Sequence, residues 1–130
     1  MNDKIKKEWF VYMIRCMDSS LYTGITTDVK RRYEEHEKGR GAKYTKVRKP
    51  VEICAVFQAE DRSSAGKLEY FIKKLTKKEK EILISDEKNK KNFINYAEEK
   101  LKIKINYKNI LKRTIENTKK KRKLKKFLKK

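Results

Sequence analysis

Short apolar runs separated by turn residues fill much of the first 60 residues. Residues 9–14, 21–26 and 52–57 are rich in β-branched and aromatic side chains, which are typical of strands. The turn sequence Asp18-Ser19-Ser20 joins the first two runs. The pattern therefore predicts an antiparallel hairpin followed later by a third strand.

Apolar residues recur at helical spacing before and after the third strand. A side chain that can cap a helix precedes each of the three predicted helices. Their expected spans and caps are about 28–38 (Thr27 or Asp28), 64–75 (Ser63 or Ser64) and 77–84 (Thr76). The predicted order is β-β-α-β-α-α, a three-stranded antiparallel sheet flanked by helices in an α+β arrangement.

The last third of the chain gives two competing patterns. Phe93, Ala97 and Leu101 follow helical spacing, whereas alternate residues over 101–107 are apolar, as in a strand. This part contains no glycine or proline and is rich in lysine. We expect a domain over residues 1–85, followed by a basic tail over 86–130 that is partly helical or disordered.

Positive charge is concentrated toward the end of the chain. The net charge is +20, with 20 basic and 13 acidic residues in 1–85 and 18 and 5 in 86–130. Such a surplus suits a partner rich in phosphate, and an acidic membrane surface is the rival. The first ten residues lack the apolar stretch of a signal peptide, and no segment is apolar enough to span a membrane. We expect a cytoplasmic protein, nucleoid-associated if bacterial.

Two cysteines, Cys16 and Cys54, lie far apart and have no neighbouring histidine. This spacing indicates neither a zinc site nor a disulfide framework. Buried free thiols are expected, which fits a reducing compartment.

Polar side chains occupy the apolar faces of two predicted helices. Arg32 and His36 share one face of the first helix with Val29 and Tyr33, and Glu69 lies within the apolar stripe of the second. Arg32 can snorkel at the rim of its face, and Glu69 can form an ion pair with Arg32. Metal binding is the functional alternative for the Glu69 carboxylate.

The hairpin contributes two phenols, Tyr12 and Tyr22, on adjacent strands. Aromatic pairs across strands are common without any function. Gly24 inside the second strand indicates a kink or a close approach of another group.

Together these features resemble the GIY-YIG nuclease superfamily. Residues 11–13 (VYM) and 22–24 (YTG) resemble its two name-giving motifs, and 28–36 (DVKRRYEEH) resembles its arginine helix. Residues 66–72 (GKLEYFI) match the helix with the metal-binding glutamate, and 39–45 (GRGAKYT) is closest to the small single-domain bacterial branch called YhbQ-like. Val11 and Thr23 depart from the motifs. Many members also have a late asparagine, for which the candidates are Asn95 and Asn106.

The resemblance implies a metal-dependent endonuclease that hydrolyses DNA phosphodiester bonds, structure-specific and related to repair. It assigns water activation to Tyr12, orientation of water or phosphate to Tyr22, phosphate binding to Arg32, and a proton-accepting role to His36. Glu69 would hold a single Mg²⁺ or Mn²⁺ ion. The cations expected to follow the nucleic-acid backbone are Arg31, Arg40, Lys43, Lys46, Arg48 and Lys49.

Two other classes of function compete with the nuclease. One is a non-catalytic nucleic-acid-binding module on the same fold, and the other is a basic protein associated with RNA or the ribosome. DNA is the expected partner, with RNA as the alternative, and neither a membrane partner nor a small-molecule cofactor is expected. The chain has a single histidine, which excludes nucleases that depend on paired histidines. The oligomeric state is not predicted.

Overall fold

A computed structural model describes residues 7–41, 43 and 48–107. It is an α+β arrangement in which the predicted order β-β-α-β-α-α is confirmed, with one helix and one short strand added after it. The elements are β1 Trp9–Cys16, β2 Leu21–Thr26, α1 Val29–Glu37, β3 Pro50–Ala59, α2 Arg62–Lys73, α3 Lys77–Ile84, α4 Glu87–Leu101 and β4 Ile105–Asn106.

The sheet contains four antiparallel strands in the order β2-β1-β3-β4, not the three that were predicted. The additional strand is β4, which pairs with Gln58 and Ala59 of β3. In the predicted turn, the Asp18 carboxylate accepts hydrogen bonds from the backbone N–H and the hydroxyl of Ser20. This turn sets the register of the hairpin and places Gly24 directly opposite Tyr12.

Side chains on successive residues of β1 point to opposite faces of the sheet and enter two separate cores. Val11 and Met13 face the apolar residues of α2, α3 and α4. Tyr12 and Ile14 face α1 and share a core with its residue Tyr33. Helices α1 and α2 therefore cover opposite faces of the sheet, and this placement governs the geometry of the site.

Carboxylate and hydroxyl caps define where the helices begin. Asp28 caps α1 and Thr76 caps α3, where Glu79 completes a capping box, as the sequence predicts. Helix α2 begins earlier than expected because Asp61, rather than Ser63 or Ser64, accepts a hydrogen bond from the Ser64 N–H at 2.8 Å. None of the described helices is long and apolar enough to cross a bilayer.

Residues 86–107 are packed against the domain rather than forming a loose tail. Ile94 and Ala97 of α4 are buried in the same core as α2, and Ile103 joins them beyond the helix. Lys102 adopts a left-handed conformation with φ of 56° and ends α4, after which the chain forms β4. The proposed division after Ser85 thus separates two helices that share one core. The rest of the proposed tail, residues 108–130, lies outside the described part of the chain.

Candidate active site

A buried hydrogen bond joins Tyr12 of β1 to His36 of α1. The distance from the Tyr12 hydroxyl oxygen to His36 Nε2 is 2.9 Å, and both side chains are only 1% exposed. Tyr12 points toward α1 because it lies on that face of the sheet, and His36 lies on the sheet-facing side of its helix. A polar pair is therefore placed where apolar side chains would ordinarily meet.

Tyr22 completes an aromatic group around this hydrogen bond. Its ring centroid lies 5.2 Å from that of His36 and 6.1 Å from that of Tyr12, and the side chain is half-buried. Gly24 makes room for the two phenols, since a Cβ at this position would lie 2.6 Å from the Tyr12 hydroxyl oxygen and 3.0 Å from Tyr22 Cε1. The close approach suggested by a glycine inside a strand is thus observed.

Burial fixes the protonation states of the hydrogen-bonded pair. It raises the pKa of Tyr12, Tyr22 adds to the rise, and Arg32 opposes it. Burial, followed by the positive charge of Arg32, lowers the pKa of His36 to about 4, while Glu35 acts in the opposite direction. Near neutral pH the phenol is therefore protonated and the imidazole is neutral, and a single proton lies between the Tyr12 oxygen and His36 Nε2.

Arg32 places a positive charge beside the hydrogen-bonded pair. Its side chain is 28% exposed, and Nη1 lies 3.6 Å from a carboxylate oxygen of Glu35. The sequence allowed an ion pair between Arg32 and Glu69, but each forms its ion pair with a residue of its own helix. Arg32 is thus partly open to solvent and can reach a ligand at the surface.

Glu69 lies on α2, the helix that covers the other face of the sheet. Its side chain is 23% exposed, and Lys73 Nζ lies 3.3 Å from Oε2. Within the described residues no cluster of three or more histidine, cysteine or acidic side chains could enclose a metal ion. A single carboxylate still fits Mg²⁺ or Mn²⁺, which retain several waters and bind substrate phosphates as well. Convergence of Glu69 with the other four residues on one surface stays a prediction.

The cations predicted to bind phosphate differ in how they are engaged. Arg48 Nε donates to Asp18 at 2.8 Å, a contact that ties the loop before β3 to the hairpin turn. Arg31 is exposed and lies 3.9 Å from Glu35. The exposed residues also include Arg40, Lys43 and Lys49. Lys46 lies outside the described residues.

The two candidates for the late asparagine lie on α4 and β4, whereas Tyr12 lies on β1 and His36 on α1. Asn95 is exposed on α4, which packs in the core on the opposite face. Asn106 lies on β4, two strands away from β1, and its side chain donates to Gln58 at 3.3 Å.

One residue of the site, Gly41, was missed by the sequence analysis. It follows α1, and a Cβ at this position would lie 2.1 Å from His36 Nδ1. The only local signal was the pair of glycines at 39 and 41, which is ordinary in a loop.

Comparison with known proteins places these residues in a wider group. Residues 8–82 match the family described as the GIY-YIG catalytic domain. The chain is 47% identical over 83 residues to a UPF0213 protein of Vibrio cholerae and 52% identical over 83 residues to one of Cronobacter sakazakii. These alignments cover 63% and 62% of this chain, and 82% and 85% of the relatives.

Two further UPF0213 proteins are similar to this chain. The UPF0213 protein YhbQ of Salmonella typhimurium is 47% identical over 78 residues, covering 60% of this chain and 78% of that protein. A UPF0213 protein of Bacillus halodurans, solved by NMR, is 42% identical with a TM-score of 0.40, covering 60% of this chain and 83% of that one. The predicted likeness to the YhbQ branch is confirmed. The names of these relatives state no activity.

Proposed function

The chain belongs to the GIY-YIG catalytic-domain family, and on this premise we propose that it is a metal-dependent endonuclease hydrolysing phosphodiester bonds in DNA. The observation that carries the proposal is the buried 2.9 Å hydrogen bond between Tyr12 and His36. A hydrogen-bonded phenol and imidazole beside a partly exposed arginine can pass a proton and bind a phosphate, which apolar side chains at these positions could not do. The narrower form of the proposal is a structure-specific enzyme of DNA repair in the cytoplasm.

The exposed members of the group would contact the substrate. The guanidinium of Arg32 would bind the non-bridging oxygens of the scissile phosphate through its planar fork. Tyr22 is half-buried, so its hydroxyl can orient the phosphate or the attacking water. The exposed cations near the site, including Arg40 and Lys43, would follow the backbone without reading sequence.

Tyr12 and His36 would accept the proton that the attacking water releases. Transfer from the Tyr12 phenol to His36 is unfavourable in the free protein, because burial raises one pKa and lowers the other. The negative charge of a bound phosphate favours a protonated imidazole, so substrate would make His36 a better acceptor. His36 would then act as a proton acceptor only after the substrate has bound.

Glu69 would supply the protein's ligand for the divalent ion. When bound, Mg²⁺ or Mn²⁺ supplies Lewis-acid stabilisation of the phosphate and of the leaving oxygen. Lys73 now neutralises the Glu69 carboxylate, so its ammonium would have to move away for this role.

Substitution of Glu69 tests the metal role. Glu69→Gln keeps the shape of the side chain but removes its charge, so we expect cleavage to fall at least 100-fold or so while DNA binding persists. The assay uses labelled linear, nicked, flapped and branched DNA, and RNA, each with and without Mg²⁺. The matched control is Glu99→Gln, which alters an exposed carboxylate of α4. Wild-type cleavage by Glu69→Gln would exclude the role.

Substitution of Arg32 tests the phosphate contact. Arg32→Lys retains the charge but loses the bidentate fork, and we expect cleavage to fall by about 10- to 100-fold. Arg62→Lys is the control, since Arg62 lies over the ring of Trp9 rather than beside His36. Equal activity of the two variants would contradict the assignment.

A non-catalytic nucleic-acid-binding module is the second candidate. It is favoured by the pairing of Glu69 with Lys73 and by the position of α2 on the face away from His36. This alternative predicts binding to DNA or RNA without cleavage of any substrate in the panel, whichever divalent ion is present.

A further inference from the structure

The backbone of Gly41 lies against the edge of the His36 ring. A Cβ built on Gly41 would be 2.1 Å from Nδ1, 2.8 Å from Cε1 and 2.8 Å from Cγ. The ring cannot easily swing away, because it is 1% exposed and its other nitrogen is held by Tyr12. Any side chain at position 41 would therefore displace either the imidazole or the loop.

The other glycines show that this requirement is one of space. Gly39 needs to be glycine for its conformation, with φ of 73°, and a Cβ there would meet nothing within 4 Å. Gly66 lies in α2 and would also meet nothing within 4 Å. Among the described glycines only Gly39 has a positive φ, so Gly41 is required by its neighbour and not by its own backbone.

We propose that Gly41 is a positioning residue whose main chain holds the His36 imidazole with Nε2 directed at the Tyr12 hydroxyl. The inference rests on the proposed function, because it concerns the orientation of the proposed proton acceptor. Gly24 has the corresponding position on the other side, where its missing side chain makes room for the Tyr12 phenol. The hydrogen-bonded pair is thus confined between two stretches of backbone that lack a Cβ.

Confinement also keeps the imidazole in its environment of low polarity. Among the described residues, the groups that face His36 include Tyr12 from β1, Tyr22 from β2, and Arg32 and Glu35 from α1. Gly41 covers the Nδ1 edge, the side opposite the hydrogen bond to Tyr12. A ring pushed off this position would be better hydrated and would hold a proton more readily.

The test compares Gly41→Ala with Gly66→Ala, a control in open space. The chain contains one histidine, so the imidazole resonances in an NMR titration report on His36 alone. We expect the wild type and Gly66→Ala to titrate together, and Gly41→Ala to titrate at least about half a pH unit higher. A Gly41→Ala titration that overlays the wild type would overturn the inference, and so would one in which Gly66→Ala shifts equally.

Cleavage kinetics give the second readout. In Gly41→Ala we expect kcat to fall about tenfold or more with KM little changed, because Arg32 still binds the phosphate. Loss of cleavage without a change in the His36 titration would overturn a positioning role. The NMR arm needs no substrate, so a wild-type protein that cleaves nothing defeats the proposed function while a shifted titration still supports the position of Gly41. Melting temperatures of all variants identify any that are unfolded.

Discussion

Tyr12 and His36 are among the largest fully buried side chains of the protein, and they hydrogen-bond to each other. Each polar atom thus satisfies the other, which removes the cost of burying either one alone. Both groups are neutral near neutral pH, so no buried charge has to be compensated. The pair can therefore serve as part of a stable core until a ligand brings charge to it.

The neutral state of His36 makes stability depend on pH in a defined window. The pKa of His36 is lowered to about 4 in the folded protein, whereas an unfolded histidine titrates at about 6.5. Stability is therefore complete above about pH 6.5 and is lost as the pH falls toward 4, because the unfolded chain then binds the proton. We expect the free energy of unfolding in urea to fall by about 2 kcal/mol between about pH 7.5 and pH 5.

His36→Gln is the control for this dependence, because it removes the only group expected to titrate strongly in the window. Carboxylates with lowered pKa values, such as that of Glu81, contribute only at lower pH. If the variant loses as much stability over the same pH range as the wild type, the dependence does not come from His36.

The sequence predicted the helix-borne residues of the site better than the loop-borne one. The 3.6-residue period of α1 is sufficient to place Val29, Tyr33 and His36 on one buried face, as observed. The contact of Gly41 with His36 depends on how the chain turns after α1. The spacing of apolar residues does not predict the path of such a loop. Glu69 shows a related limit, because helical spacing places it within a stripe but not relative to a different helix.

At the scale of elements, α4 shows where local sequence signals fail. The helical spacing of Phe93, Ala97 and Leu101 is correct, yet the lysine-rich composition suggested a frayed helix. Docking is decided by aromatic partners on other elements, since the Phe93 ring lies 6.1 Å from that of Phe57 and 5.9 Å from that of Phe71. The alternating pattern also has a counterpart, because β4 begins shortly after the helix ends. Phe57 and Phe71 lie more than 20 residues before Phe93, so local sequence patterns do not reveal these contacts.

Substitution of Ile94 tests whether α4 is an integral element. Ile94 is buried in the core shared with α2, so Ile94→Ala should lower the free energy of unfolding by about 2–4 kcal/mol. Asn95→Ala changes the adjacent exposed residue and should alter stability by no more than about 0.5 kcal/mol. Equal stability of the two variants in chemical denaturation would show that α4 does not dock. The Asn95 variant should also retain cleavage.

For the molecule as a whole, positive charge is concentrated in the last 23 residues of the sequence. Residues 108–130 contain 12 basic residues and one acidic residue, which is more than half of the net charge of +20. Residues 86–107 instead supply α4, β4 and several core side chains. Residues 86–107 thus contribute packing, whereas residues 108–130 contribute most of the positive charge.

Two truncations separate these roles. A chain ending at Tyr107 should keep its melting temperature within a few degrees, bind DNA more weakly across sequences, and show a shallower dependence of log Kd on log salt concentration. A chain ending at Ser85 should lose much of its stability, because it exposes the core that α4 covers. Binding is measured by titration at several salt concentrations and stability by thermal melting.

The two truncations can also contradict this division of roles. An unchanged salt slope for the chain ending at Tyr107 would show that residues 108–130 do not bind phosphate. A stable, fully folded chain ending at Ser85 would restore the boundary predicted from sequence.

The burial of Tyr12 and His36 has a consequence for the history of such proteins. Side chains that are 1% exposed and fill a core are under selection for folding, whether or not any chemistry takes place. A descendant that had abandoned catalysis would therefore be expected to keep both. Arg32 and Glu69 are each partly exposed, so packing does not require them as strictly. In a descendant without catalysis, both positions could accept substitutions. The presence of Arg32 and Glu69 in a relative would therefore indicate catalytic activity more reliably than the presence of Tyr12 and His36.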